Sequence, residues 1–173
     1  MKTATTSRSA GVWALPALLF VGLLVRLIFI PSQGYINDVN TFEAWALSLA
    51  HDGFAKFYTN GQFADYPPGY LYVLAPVGWL WNLLAHMGID SDFVHKTLVK
   101  MPAILADLGI GALLYGIARR FASRGLALGT AALYVLNPAI VFDSAWWGQI
   151  DSVAGLFALL AIYCLLRGDD ELA

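Results

Sequence analysis

The chain has 173 residues, a net charge of -2, and 59% hydrophobic against 13% charged residues, with a mean hydropathy of +0.65. These values lie outside the usage of ordinary soluble domains, and the apolar residues fall in long runs that one aqueous core cannot bury. Composition therefore excludes a soluble globular domain and predicts an all-α integral membrane protein. The single cysteine, Cys164, excludes a disulfide framework, and no nucleic-acid-binding signature is present.

The first predicted element is a membrane span over residues 12–30. Its 19 mostly apolar residues would form about 28 Å of helix at roughly 1.5 Å per residue. Lys2 and Arg8 precede it, but the run is long and no small-residue cleavage site follows, which favours a retained signal-anchor over a cleaved signal peptide. Arg26, near its far end, has two interpretations: it snorkels to the interface, or it faces a phosphate group.

An external loop is predicted over residues 31–94, and its first half contains a helix at about residues 39–50. Apolar residues recur there at helical spacing, at Phe42, Trp45, Ala46 and Leu49, so the helix is expected to lie flat on the membrane. Asp38 comes just before it. This carboxylate either caps a helix that begins at Val39 or is available for chemistry at the membrane surface.

The second half of the loop contains an apolar segment, residues 69–85, whose placement is ambiguous. Its aromatic residues suit the membrane interface; they are Tyr70, Tyr72, Trp79 and Trp81. We therefore expect a transverse or partly re-entrant helix rather than a span. The preceding Asp65-Tyr66-Pro67-Pro68 either provides a rigid entry to that helix, which its paired prolines favour, or contributes to a binding site.

Three further spans are predicted, at residues 95–118, 125–142 and 150–167. Short loops rich in Lys and Arg stay on the cytoplasmic side, and the strongest basic signal is Arg119, Arg120 and Arg124. With four spans these arginines share a side with both chain ends, and Arg167 joins them. We expect both ends to be cytoplasmic, in a prokaryotic plasma membrane, or in the endoplasmic reticulum if the source is eukaryotic.

Three ionisable residues share one face of the second span. Lys96, Lys100 and Asp107 fall within roughly 40° of each other on a helix. The two lysines either bind a lipid-linked phosphate or snorkel to the interface. Asp107 lies deeper, where a carboxylate usually finds an interior partner, so a structural role is favoured over a role in a buried site.

The turn between the third and fourth spans contains Asn137-Pro138 and the run Trp146-Trp147-Gly148-Gln149-Ile150-Asp151. Asp151 either caps the fourth helix or forms a sugar-binding surface with Trp147 and Gln149. No Walker loop, dinucleotide fingerprint, nucleophile elbow or metal-ligand spacing is found. Cytosolic nucleotide chemistry is therefore not predicted.

Three motifs occur in a fixed order: Asp38 in the first external loop, the Asp65 to Tyr70 segment with its Pro-Pro pair, and Asn137-Pro138 followed by Trp147-Gly148-Gln149-Ile150-Asp151. Because the motifs occur in this order, the chain from Val12 onward resembles the GT-C superfamily of membrane glycosyltransferases, which use polyprenyl-phosphate or dolichyl-phosphate sugars. It is most similar to mannosyltransferases related to the second-mannose enzyme of GPI-anchor synthesis.

The resemblance implies that Asp38 is the general base on an acceptor hydroxyl, while the external loops bind the sugar and the lipid phosphate leaves. Cations near the leaving oxygen would be Lys96, Lys100 and Arg26. The other donor- or substrate-binding candidates are Asp65, Tyr66, Trp147, Gln149 and Asp151. Related aminoarabinose transferases have Lys where Tyr66 stands, so phosphate binding would be arranged differently here.

The resemblance also implies that no cofactor is required, although related oligosaccharyltransferases bind a divalent metal, so metal dependence stays open. Members of the family are several hundred residues long with roughly twice as many spans. The expectation is therefore that a C-terminal part or a partner subunit is missing and that this chain alone is inactive. The alternative is a non-catalytic four-helix membrane protein that binds a lipid or a partner subunit through its external aromatic helices.

Overall fold

A computed structural model describes residues 12–59, 61 and 63–168 of the chain. This part is mainly helical and contains no strand, which confirms the all-α class. Lys2 and Arg8, as well as residues 169–173, lie outside the described residues. The helices are α1 (Ala14–Phe29), α2 (Ile36–Asp52), α3 (Phe54–Phe57), α4 (Pro68–His86), α5 (Asp92–Ala118), α6 (Arg124–Val135), α7 (Pro138–Val141) and α8 (Asp151–Arg167), and a π-helical segment, Phe142–Trp147, follows α7.

Helix α5 is the centre of a four-helix bundle with α1, α6 and α8. Helix α1 runs antiparallel to α5, since Leu19 lies beside Gly111 and Ile30 packs on Ile104. Helix α8 runs parallel to α5, and Arg120 near the end of α5 donates a hydrogen bond to the Leu166 carbonyl near the end of α8. One end of the bundle therefore collects Arg119, Arg120, Arg124 and Arg167, and we call it the arginine end.

The opposite end, which we call the Asp38 end, is covered by α2 and α4. These two helices pack closely against each other, because the apolar face of α2 meets that of α4. Their shared core includes Phe42, Trp45 and Leu49 from α2 with Leu71 and Leu74 from α4.

The continuous helix expected for residues 125–142 is broken at Asn137-Pro138. Proline lacks an N–H, and the next amide, of Ala139, bonds to the Asn137 side chain at 2.9 Å instead of continuing the helix. The axes of Arg124–Val135 and Pro138–Trp147 consequently differ by 44°. The Val135 carbonyl, left without a helical partner, accepts a hydrogen bond from Arg26 Nη1 at 2.7 Å.

Among the described residues, one helix is long and apolar enough to cross a membrane. It is α5, with 27 residues and a mean hydropathy of 1.7 over its most apolar window. The bent pair Arg124–Val135 and Pro138–Trp147 gives a second if it is taken as one broken span, and α1 is apolar but has only 16 residues. Length and composition alone thus give weak support for membrane association.

Candidate active site

Asp38 lies in the first turn of α2, which begins at Ile36 after an extended Tyr35. One interpretation of the sequence made Asp38 the N-cap of this helix. The structure shows that it is not, because the helix begins two residues earlier. Its Oδ2 atom accepts hydrogen bonds from Trp147 Nε1, at 3.2 Å, and from Gln149 Nε2. Its Oδ1 atom has no hydrogen-bond partner in the part of the chain that the structure describes. One carboxylate oxygen is held and the other is available.

Two glycines let the Asp38 segment and the tryptophan segment approach this closely. Gly34 and Gly148 both have positive φ, 66° and 90°, a conformation that strains other residues. A Cβ on Gly34 would lie 2.3 Å from the Trp147 carbonyl oxygen, and one on Gly148 would lie 2.9 Å from Val39 Cγ2. The Tyr35 amide donates to the same Trp147 carbonyl at 3.0 Å, which fixes the register of the two segments.

Tyr66 brings the Pro-Pro segment to the same place. Its hydroxyl donates to Gln149 Oε1 at 3.2 Å, and its ring packs edge-on against Phe42 and Trp45 of α2, with centroid distances of 5.6 and 6.0 Å. Pro68 begins α4 immediately afterwards, as proline does at a first helical position. The three sequence motifs therefore meet around Asp38, Tyr66 and Gln149.

Other carboxylates surround Tyr66. Burial raises the pKa of Tyr66 above its usual 10, and the negative charges of Asp38, Asp151, Asp65 and Asp143 raise it further. Asp65 and Asp151 are exposed, and Asp151 lies in the first turn of α8, where the helix dipole favours a negative charge. Sequence reasoning missed Asp143, because no motif marked it. Its carbonyl accepts the Gly148 and Gln149 amides, both at 3.0 Å.

Lys100 is fully buried, and its ammonium group donates hydrogen bonds to protein oxygens. Its Nζ donates to the Ser32 carbonyl at 2.9 Å, to Ser32 Oγ at 3.0 Å and to the Trp146 carbonyl at 3.2 Å. It thus ties the end of α1 to the tryptophan segment beneath Asp38. Lys96 lies nearer the start of α5 and pairs with Asp92 at 2.6 Å. Neither lysine presents a free cation to the Asp38 carboxylate.

Arg26 neither snorkels nor faces an open surface. It is fully buried, and its Nε donates to Asp107 Oδ2 at 3.0 Å. Its Nη2 lies equally close to that oxygen, but is not aligned for a hydrogen bond, so Nε makes the directional contact. Asp107 also accepts from the hydroxyls of Ser144, Tyr134 and Ser152. Asp107 therefore has interior partners, as expected for a carboxylate at this depth.

An apolar groove of about 320 Å³ starts beside Tyr66, between the first turns of α4 and α8. Its lining includes Tyr66, Pro67, Tyr70, Ile150, Asp151 and Phe157. A second hollow of about 600 Å³ lies between α4, α5 and α8 and shares Val153 and Phe157 with the first. The two hollows therefore lie side by side along α8.

The fold and the site define an all-helical protein in which a half-buried carboxylate, held by an indole and an amide, lies beside an apolar groove. No family model, curated protein or solved structure matches the chain. Within the described ranges no group of three or more His, Cys, Asp or Glu residues is arranged to hold a metal ion.

Proposed function

We propose that this protein is part of a membrane glycosyltransferase that moves a sugar, mannose by resemblance, from a polyprenyl-phosphate donor to an acceptor hydroxyl. The observation that carries the proposal is the asymmetric hydrogen bonding of Asp38. Trp147 and Gln149 both donate to Oδ2, so protonation there would displace at least one of these two donors. An incoming proton therefore goes to Oδ1, which is the atom free to meet an acceptor hydroxyl.

This arrangement suits general base catalysis in an inverting displacement. The acceptor oxygen attacks the anomeric carbon, the bond from that carbon to the phosphate oxygen breaks, and Asp38 Oδ1 takes the hydroxyl proton. A positioned base of this kind typically contributes about 10² to 10⁴ in rate. The indole and amide donors fix the carboxylate plane, which reduces the cost of orienting it for the reaction.

The surface of the bundle supports a membrane location with four spans: α1, α5, α6 with α7, and α8. Large apolar side chains are exposed on all four of these elements, including Ile28, Leu105, Leu133 and Phe157 at 73%, 55%, 79% and 61%. Apolar surface of this extent requires cover by lipid or by another protein. Under the positive-inside rule the arginine end is cytoplasmic, which puts the Asp38 end on the external face of a plasma membrane.

The apolar groove beside Tyr66 offers a place for the lipid chain of the donor. The three candidate cations are not free to bind the donor phosphate, because Arg26 and Lys100 are buried with other partners and Lys96 pairs with Asp92. That observation favours a second candidate function, a non-catalytic membrane protein that binds a lipid or a partner subunit at the same groove.

The deciding experiment is transfer of radiolabelled mannose from a polyprenyl-phosphate donor to membrane acceptors by the protein in its native membranes. Asp38→Asn should reduce transfer at least about 100-fold, the lower range for loss of a general base. Asp92→Asn is the matched control: it changes an exposed carboxylate in the first turn of α5 and should retain normal transfer. Near-normal turnover by the Asp38 variant would end the catalytic assignment. No transfer by the wild type, with retained lipid binding, would establish the second candidate.

The topology has its own test. A cysteine placed at Ser123, next to the arginine end, should react with a membrane-impermeant reagent only from the cytoplasmic side. The native Cys164 is buried and should give little background. Labelling from outside would overturn the four-span orientation.

A further inference from the structure

Tyr66 is the residue that touches both the groove and the hydrogen-bond system of Asp38. Its ring lines the apolar groove, while its hydroxyl donates to Gln149 Oε1 at 3.2 Å. Gln149 in turn donates through Nε2 to Asp38 Oδ2. A chain of two hydrogen bonds therefore joins a groove-lining ring to the carboxylate.

The direction of this chain follows from the chemistry of its members. An ionised carboxylate only accepts hydrogen bonds, so the amide nitrogen of Gln149 has to face Asp38. The amide oxygen then faces Tyr66, whose hydroxyl has to donate. If Tyr66 turns away, Gln149 loses the contact that holds its amide in this orientation, and the second donor on Oδ2 is no longer fixed. The hydrogen bond of Trp147 Nε1, the other donor on the same oxygen, would change as a result.

The ring of Tyr66 is placed to respond to an occupant of the groove. On one side it packs on Phe42 of α2, the helix that bears Asp38, at a centroid distance of 5.6 Å. On the other side it lies against open groove volume together with Ile150 and Phe157. Filling the groove would press the ring against α2 and restrict the movement of the hydroxyl.

We propose that Tyr66 couples occupation of the groove by an isoprenoid chain to the orientation of Asp38, through Gln149. The occupant is assigned as a lipid chain because the groove shares Val153 and Phe157 with the apolar hollow along α5, the one described helix that by itself is long and apolar enough to cross a membrane. Coupling of this kind is reciprocal, so an acceptor hydroxyl on Asp38 and a chain in the groove bind cooperatively. The proposal rests on the proposed function for the identity of the chain, and it makes Tyr66 and Gln149 positioning residues.

The test measures the indole N–H resonance of Trp147 by NMR in protein labelled with ¹⁵N-tryptophan and reconstituted in lipid nanodiscs. The Trp147→Phe variant assigns that resonance. Farnesyl phosphate is the probe, and its binding is measured separately by equilibrium dialysis of the radiolabelled compound. In the wild type, we expect a saturable shift of the Trp147 resonance that follows probe binding.

Tyr66→Phe keeps the ring and removes the hydroxyl, so it should bind the probe within about twofold of the wild-type Kd while the Trp147 shift is lost. Gln149→Leu should lose the shift in the same way. Tyr72→Phe is the matched control, because Tyr72 is an exposed tyrosine of α4 that stacks on Phe54 and does not line the groove. It should behave as the wild type.

A Tyr66→Phe variant that shifts the Trp147 resonance as the wild type does would overturn the coupling. So would a wild-type protein that binds farnesyl phosphate without moving this resonance, or one that does not bind it. None of these readouts requires sugar transfer. A wild-type protein that shows the coupled shift in nanodiscs but transfers no sugar in its native membranes would refute the proposed function and leave the coupling in place.

Discussion

The Arg26–Asp107 pair is expected to be the most sensitive point of the bundle, and Asp107→Asn tests it. The substitution keeps the size of the side chain but removes its charge, so that Arg26 stays fully buried without a counter-charge. It also puts an amide N–H where Asp107 now accepts from Arg26 and three hydroxyls. Removing one partner of a buried ion pair typically costs about 3–5 kcal/mol. We expect the free energy of unfolding to fall by that amount.

The measurement is reversible unfolding in mixed micelles of a mild detergent and SDS, followed by helical circular dichroism. The double variant Arg26→Met with Asp107→Asn should recover part of the loss, since no unpaired charge remains. A residual cost of about 1–3 kcal/mol is expected, because the Val135 carbonyl loses its buried donor. Asp92→Asn removes the pair with Lys96, whose carboxylate partner is exposed, and should cost at most about 1 kcal/mol.

Two results would refute this reasoning. One is an Asp107→Asn variant within about 1 kcal/mol of the wild type, well below the range for a broken buried pair. The other is a double variant whose loss equals the sum of the losses of Asp107→Asn and Arg26→Met measured separately, because residues that interact directly should not be additive.

Three further outcomes are expected in the same unfolding assay. Gly148→Ala should cost at least about 1–2 kcal/mol from its positive φ, whereas Gly129→Ala, in a helix with open space around it, should be neutral or slightly stabilising. Lys100→Met should cost about 1.5–3 kcal/mol through its lost buried hydrogen bonds, against little for Lys96→Met. Burial raises the pKa of Glu43 above 4.5, so folding favours its protonated form. The stability that this form contributes is present below pH 4.5 and is lost as pH rises through the folded-state pKa. Glu43→Gln should therefore be more stable than the wild type at pH 7 and equal to it below pH 4.5.

The sequence predicted the all-helical class because that class depends on periodicity and apolar run length, which are local properties. The break at Asn137-Pro138 was not predicted, although both residues were noted. A proline in an apolar run can kink a helix or end it. The outcome here depends on a distant residue, since Arg26 satisfies the Val135 carbonyl that the break exposes.

In the candidate site, too, the residues marked by local motifs were predicted and the contacts with distant segments were not. Motif order indicated that Asp38, Tyr66 and Gln149 act together, and in the structure they form one hydrogen-bonded chain. The lysines and the arginine were harder to place, because a helical wheel shows which face a residue occupies but not the oxygen that it finds there. Lys100 contacts carbonyls of Ser32 and Trp146, which belong to segments that no local pattern connects.

The fate of these cations bears directly on how a phosphate donor could be held. A buried charge is tolerated when nearby oxygens compensate it. Arg26 and Lys100 are bonded to such oxygens inside the bundle and are therefore not free to bind a phosphate. Around Tyr66 the balance is the opposite, since four carboxylates, among them Asp38 and Asp151, act on its hydroxyl. Charge developing on a leaving phosphate in such surroundings needs stabilisation by donors or cations. Under the proposed function, that stabilisation has to come from donors or cations other than Arg26, Lys96 and Lys100.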